Sequence, residues 1–350
     1  MDSFGLFMRY MNDEYKPLPS SIIAEGIDCF GVAGDRGDVA MVGYGAARYA
    51  LASGNRNEAE KLWPLIEWCL EYCHRQLNVD GVVKSDSDEL ENRFPAGKAN
   101  LCTSSLYYDA LISAAYLGKA LKKEHKQIKS YQDRAAELYK NIDVYFARNV
   151  EGYDTYRYYD GNTVLRSWIC IPLTMGIYEQ AKGTVEALFS DKLWMENGLL
   201  TQSGTSTYWD RSTLYAFRGA YSCGARDIAT EYLDKYSATR LLGDHVPYAV
   251  EAWPEGNQRH LSTESALYCR IMTEGLFGIR PIALDAFVMT PQLPESWNMM
   301  SLKRVCAFGS IFDIEVKRDK DNKLSVLIKK DHKIVKRSKI MNGKPIEVRI

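Results

Sequence analysis

From the N-terminus to about residue 280 the sequence alternates helical runs with connectors of two lengths, and this alternation limits the fold more than any single motif does. Helical periodicity is strongest in NEAEKLWPLIEWCLEYCHRQL, where Leu62, Leu65, Ile66, Cys69, Leu70, Cys73 and Leu77 recur at spacings of three and four. TSSLYYDALISAAYLGKALKK puts Leu106, Ala110, Ala114, Leu117 and Leu121 on one face, with Thr103 or Ser104 as the expected cap. SYQDRAAELYKNIDVYF aligns Tyr131, Ala135, Leu138, Ile142 and Tyr145, and VAMVGYGAARYALASG carries a stripe of Met41, Gly45, Arg48, Tyr49 and Ala52. Weaker helices are expected near 163–180, 183–190, 209–221 and 224–237, and STESALYCRIMTEGLFG gives the last clear one, with Ser262 as its cap. The connectors within pairs are short (SGNRN, about KEHKQI, QAKG, SCGA). Those between pairs span 14–37, 78–102, 147–162, 191–208 and 238–261. Short links make neighbouring helices antiparallel. In a string of such pairs the long links must all fall at one end, which describes an α/α toroid with its long loops on one rim.

From about residue 287 the period changes to two. Phe312, Ile314 and Val316 alternate with charged residues, as do Leu324, Val326 and Ile328, and then Ile346, Val348 and Ile350. DKDN and NGKP are the turns between such runs. The expected organisation is a mainly α domain over 1–286 and a small antiparallel β domain of about four strands over 287–350. The helix count, about ten against the twelve of a closed toroid of six hairpins, favours a natural protein that continues upstream of Met1.

The five long links share a chemistry. They contain Asp28, Asp35, Arg36 and Asp38 in the first, SDSDELENRF in the second, NVEGYDTYRYYDGN in the third, LLTQSGTSTYWD in the fourth and HVPYAVEAWPEGNQRH in the fifth. Carboxylates, aromatics, Arg and His therefore collect on one rim. Loops on a rigid scaffold are where function usually sits, and acids among aromatic rings suit the cleavage of glycosidic bonds. The chain has 23 Tyr and 7 Trp, whose flat faces and polar tips suit sugars as well as cores.

Other chemistries find little support. The formal net charge is −1, so no broad field points to nucleic acid or an anionic membrane. The eight cysteines include no CxxC, and the five histidines lack metal-ligand spacing, so no metal is expected. With no GxGxxG and no GxxxxGK[ST], no cofactor is expected either. The first residues lack the basic and apolar regions of a signal peptide. That implies a cytoplasmic chain, or a periplasmic one if the natural N-terminus is missing. Oligomeric state is left open by the sequence.

At this point three stretches resemble a known group. SDSDELENRFPAGKANLCTSS is similar to the acid-bearing loop of the maltose phosphorylase group, in which an Asp-Glu pair is followed by Asn and Thr, here Asp88, Glu89, Asn100 and Thr103. GDRGDVAM resembles a shortened form of the bacterial α-L-rhamnosidase loop that ends in Gly-Asp. YAVEAWPEGNQRHLSTESALYCRIMTEGLFGIRP resembles the C-terminal run of those rhamnosidases. The chain is thus similar, over roughly residues 2–300, to the six-hairpin (α/α)6 glycosidase superfamily. GDRGD lacks the Glu of the longer rhamnosidase loop, and the Glu251 context is foreign to the phosphorylases. The resemblance therefore implies a chemistry rather than a particular sugar.

What it implies is a glycoside hydrolase acting on a plant or host polysaccharide or oligosaccharide. The mechanism would use two carboxylates and invert, with carboxyl groups about 6.5–9.5 Å apart. Glu89 is the expected general acid with Asp88 beside it, Glu251 the expected base, and Asp35 a further catalytic candidate. Arg36, Asp38, Arg93, Tyr156, Arg157, Arg166, Trp168, Trp209, Asp210, Trp253, Glu255, Gln258 and His260 are expected to contact substrate. Asp86 and Glu91 are read as solvent or ion-pair residues, and Glu264 as serving the first turn of its helix. Two other readings stand beside this one. A polysaccharide lyase on the same toroid would use Tyr248 or His245, and a carbohydrate-binding fragment would catalyse nothing.

Overall fold

The computed structural model describes residues 1–19, 34–88, 90, 93–242, 252–253 and 262–350. The described residues include ten α-helices: α1 (Asp2–Met8), α2 (Asp38–Ser53), α3 (Arg56–Arg75), α4 (Leu101–Leu121), α5 (His125–Phe146), α6 (Ile171–Met175), α7 (Ala181–Leu188), α8 (Asp210–Ser222), α9 (Arg226–Arg240) and α10 (Ser262–Arg270). The chain forms two compact units. One comprises Met1–Arg148, Tyr156–Thr163 and Pro281–Leu284; the other comprises Asn149–Thr155, Val164–Arg280 and Asp285–Ile350.

In the first unit the helices pair as their short links dictate. Gly54 closes α2 in the left-handed region at φ 70°, where glycine meets no steric penalty. The next residue, Asn55, opens α3 by accepting from the amides of Asn57 and Glu58 at 3.0 and 3.3 Å. Lys122, also left-handed, ends α4 ahead of α5. The centre is α4, packed against α2, α3 and α5. It is buried on nearly every side, Leu106, Leu111, Leu117 and Leu121 included. Each such leucine contributes about 2 kcal/mol by leaving water. The cap of α4 is Asn100, whose Oδ1 accepts from the Thr103 amide at 2.9 Å, rather than Thr103 or Ser104. The α2 stripe is real but lies on the outer side. Val39, Val42, Ala46, Ala47, Ala50 and Leu51 are buried, while Met41, Gly45, Arg48 and Ala52 are half-exposed and Tyr49 is exposed.

In the second unit, a 3₁₀ turn at Ser167–Cys170 leads directly into α6, so 163–180 does not form one helix. The α7 helix lies so close to another segment that a Cβ on Gly183 would stand 1.9 Å from the Asp154 carbonyl oxygen. Gly224, at φ 92°, turns the chain between α8 and α9. The α10 helix continues as a π-helix over Ile271–Leu276, an irregularity frequent at functional sites.

Short strands interrupt the helices: β1 (Ala147–Val150), β2 (Tyr153–Tyr156), β3 (Trp194–Met195), β4 (Gly198–Leu199), β5 (Tyr208–Trp209) and β6 (Ala252–Trp253). The strand-rich end begins at β7 (Ile279–Ala283), followed by β8 (Ala286–Met289), β9 (Met299–Ala307), β10 (Ser310–Arg318), β11 (Leu324–Lys330), β12 (Lys333–Ile340) and β13 (Ile346–Arg349). β9 to β12 form an antiparallel meander in the order β12-β11-β10-β9, and β13 pairs with β8. Cross-strand partners Ile314 and Ile328, and Val316 and Val326, are fully buried on one face, as the period of two requires. Phe287 stacks on Phe308 and Phe312 at 5.1 and 5.7 Å beneath them. No helix among the described residues is long and apolar enough to cross a membrane.

Candidate functional site

In the first unit the loop before α2 and the SDSD loop before α4 are bonded to each other. Asp35 donates its amide to Asp86 Oδ2 at 2.8 Å, and its carbonyl accepts from the amides of Asp86 and Ser87 at 2.8 and 3.2 Å. The turn depends on Gly34, at φ 62°, because a Cβ there would lie 2.3 Å from Asp86 Oδ2. Asn100 fixes the second loop from below. Its Nδ2 donates to Ser85 Oγ at 2.6 Å and to the Ser87 carbonyl at 3.2 Å, while its Oδ1 caps α4. The Asn that follows the acidic loop is thus its foundation. Beside it Thr103 Oγ1 is buried without a partner among the described residues, facing the left-handed Gly37 that precedes α2.

The Asp35 side chain is 4 % exposed. Tyr72, from α3, donates its hydroxyl to Asp35 Oδ2 at 2.7 Å, and the Gly37 amide donates to Oδ1 at 2.9 Å. Tyr72 is itself held by stacking on Trp68 at 5.7 Å. Burial opposes the charged carboxylate more than these two donors favour it, and Asp38 and Asp86 add repulsion. The Asp35 carboxyl is pushed from an ordinary 3.8 up to about 6. The same burial and the nearby Asp35 push the Tyr72 hydroxyl well up, so it stays protonated. Asp35, Tyr72 and Asp86 border a pocket of about 370 Å³ whose other walls are Gln76, Lys84, Ser85, Gly97 and Lys98.

A larger groove of about 580 Å³ runs over α3 and α5, with Glu67, Glu71, Glu124, Lys126 and Arg134 in its lining. Arg134 reaches Glu71 at 3.8 Å and Gln127 bonds Glu67, which leaves the Asp35 pocket as the better chemical candidate.

The remaining candidates divide by location. Also in the first unit, Arg36 and Asp38 pair with each other at 3.3 Å in the opening turn of α2. Asp88 is 1 % exposed and its Oδ1 accepts from the Leu90 amide at 2.9 Å, closing a local turn. Arg93 is exposed. Tyr156 is buried, and Arg157 is tied to the Tyr145 carbonyl at 2.8 and 3.0 Å and to Asp160. In the second unit Arg166, Trp168, Trp209 and Asp210 are all buried. Trp168 meets Trp209 and Tyr215 edge-on at 4.6 and 5.6 Å, and Asp210 pairs with Arg240 at 3.0 Å. Trp253 pairs through its backbone with Tyr208. Glu264 does more than serve a first turn: it is fully buried and accepts from Arg211 Nε at 2.7 Å. Glu89, Glu91, Glu251, Glu255, Gln258 and His260, together with Asp28, Tyr248 and His245, lie outside the described residues. Among the described residues no group of three or more His, Cys, Asp or Glu could hold a metal ion.

Sequence reasoning missed Tyr72 and the structural part of Asp86. Tyr72 sits between Leu70 and Cys73 in a run that reads as core, and nothing local distinguishes it. Asp86 had a signal in its position within the acidic loop, but its partner is an amide 51 residues away.

No family model matches the chain, and no curated protein matches it. Solved structures do. A sialidase superimposes with a TM-score of 0.66 at 14% identity, over 89% of this chain and 32% of its own. The GH78 family rhamnosidase of Bacillus sp. GL1 gives 0.56 at 12% identity, over 87% of this chain and 31% of its own. The α-L-rhamnosidase from Dictyoglumus thermophilum gives 0.55 at 12% identity, over 99% of this chain and 42% of its own. The chain therefore spans between about a third and two fifths of the length of these enzymes. At such identities the likeness concerns architecture, and the fold is one that glycoside hydrolases use.

Proposed function

We propose that the chain is a glycoside hydrolase built on an (α/α)6 toroid over 1–286, with 287–350 as an accessory β domain, acting on a carbohydrate by a two-carboxylate, inverting mechanism. The observation that carries the reading is Asp35, a carboxyl buried beside a pocket and brought to about 6 by that burial. Glycosidic cleavage needs one carboxyl that still holds a proton near neutral pH to protonate the leaving oxygen. It needs a second, ionised one to activate water. Asp35 comes nearest to the first requirement: at about 6 it is half protonated at pH 6 and keeps a minor protonated fraction at pH 7. Asp88 fits it less well, because it is buried without lining the pocket. The fold shared with sialidase and rhamnosidase structures supports the same chemistry. Glu89 remains the sequence-based alternative for the acid, and Glu251 the candidate base.

The test is hydrolysis of a panel of aryl glycosides and oligosaccharides by Asp35→Asn, Glu89→Gln and Glu251→Gln. Losing one proton-transfer group lowers the rate by about 10²–10⁴-fold. Such a loss in Asp35→Asn together with Glu251→Gln supports the assignment. Loss in Glu89→Gln with full turnover in Asp35→Asn moves the acid to Glu89. Full turnover in all three sinks the two-carboxylate reading.

A further inference from the structure

The pocket beside Asp35 has two kinds of wall. Asp35 lines it as a buried residue, and Asp86, Lys84 and Lys98 line it as exposed ones. The two segments that carry the lysines are joined by strand-like pairing, in which Lys84 lies opposite Ala99 and the Ser85 amide donates to the Lys98 carbonyl at 3.2 Å. Neither lysine forms an ion pair among the described residues. The pocket's acids are hydrogen-bonded to other groups: Asp86 directs Oδ2 to the Asp35 amide at 2.8 Å, and Asp35 is engaged by Tyr72 and Gly37. At about 370 Å³ the space lies at the small end of ligand sites, which run from about 300 to 1,000 Å³. It suits one or two sugar rings. A neutral sugar would use the carboxylates through its hydroxyls and leave both ammonium groups without a partner. A carboxylated sugar would use both halves.

We propose that this pocket takes a sugar unit bearing a carboxylate, a uronate or a comparable sugar acid, with Lys84 and Lys98 holding the carboxylate while Asp35 and Asp86 face its hydroxyls. An ammonium group is a compact charge with three donors on a flexible stem, so two of them grip one carboxylate without demanding a fixed geometry. Discrimination then lies in the lysines and proton transfer in Asp35. This inference rests on the hydrolase reading for its choice of sugar as ligand, but binding tests it without turnover.

The experiment is calorimetric titration of the full chain with D-glucuronate, D-galacturonate and N-acetylneuraminate, with D-glucose and D-galactose as neutral matches, in the wild type and in Lys84→Gln/Lys98→Gln. At least one acid should bind tenfold or more tightly than the neutral sugars. That advantage should fall below threefold in the double variant and in 0.5 M NaCl. Both lysines are exposed, so the variant keeps the fold, and an unchanged melting temperature verifies this. The proposal is overturned if no acid outbinds the neutral sugars, or if the advantage survives in the double variant. If selective binding is lost in the variant while no glycoside is hydrolysed by the wild type, the acidic-sugar site stands and the hydrolase reading falls.

Discussion

Asp35 shows how burial at one residue separates stability from chemistry. Its carboxyl titrates near 6 in the folded chain against an ordinary 3.8, so the folded state binds this proton more tightly than the unfolded state does. The favourable contribution is complete below about pH 3.8, fades as pH rises through about 6, and is absent above it. At pH 7.5 the wild type thus carries the full cost of a buried charge, about 2–3 kcal/mol for a shift of this size. Asp35→Asn removes the charge and keeps an oxygen for the Gly37 amide. We expect urea unfolding to give this variant about 2 kcal/mol more stability relative to the wild type at pH 7.5 than at pH 4. An equal difference at the two pH values would refute the raised pKa. Such a group is poorly legible in sequence. The loop position of Asp35 was readable, whereas its pKa comes from Tyr72 and from packing against α3. Asp88 and Asn100, placed by resemblance in an acid-bearing loop, make a turn and a cap as well, which the resemblance did not reveal.

At the scale of elements, what could be read was what neighbouring residues decide. The Gly54-Asn55 link between α2 and α3, the stripes of α3 and α5, and the alternation in β10 and β11 all follow from local chemistry. The α2 face differs from the stripe read in sequence because the buried side of that helix is built mostly from alanines, valines and glycine, with Tyr44 and Leu51 as its larger residues, so its hydrophobic contrast with the outer side is small. The α4 helix, buried nearly all round, has little periodicity to read for the same reason. Gly183 marks the limit. Within α7 it looks like a mild weakness, but its missing Cβ lets the helix touch the Asp154 carbonyl, 29 residues away in sequence. Backbone has no rotamer to move aside, so Gly183→Ala must shift α7 or the Asp154 segment. The gain in helix propensity, about 1 kcal/mol, is outweighed by overpacking of about 2–3 kcal/mol. Thermal and urea unfolding should therefore show a net loss. A stabilised Gly183→Ala would mean that the close approach does not exist.

Charge is the property that the whole molecule hides. The chain balances 44 Lys and Arg against 45 Asp and Glu, yet residues 299–350 hold fourteen of the former and six of the latter. A net charge of −1 therefore does not describe this segment. On the sheet, β12 is an edge strand, with Lys333 and Arg337 exposed along it and Lys336 half-exposed between them. Together with Lys329 these residues form no ion pair among the described residues, whereas Lys339 is paired with Asp319 and Asp321. Lysines on an edge discourage another strand from adding to the sheet, and they also create a local positive field. With a screening length of about 10 Å at 0.1 M salt, such a field acts before the acids elsewhere in the sequence cancel it. The protein should consequently be retained by a sulfonated cation exchanger at pH 7.5 in 20 mM salt, despite a sequence pI of 6.6, and be released by roughly 0.2–0.3 M NaCl. Lys329→Gln/Lys333→Gln/Lys336→Gln/Arg337→Gln, all on the surface of the β11–β12 hairpin, should pass through unretained with an unchanged melting temperature. Retention of this variant at the wild-type salt concentration would locate the binding charge elsewhere, and passage of the wild type would show that the net charge, not the sheet, governs the surface.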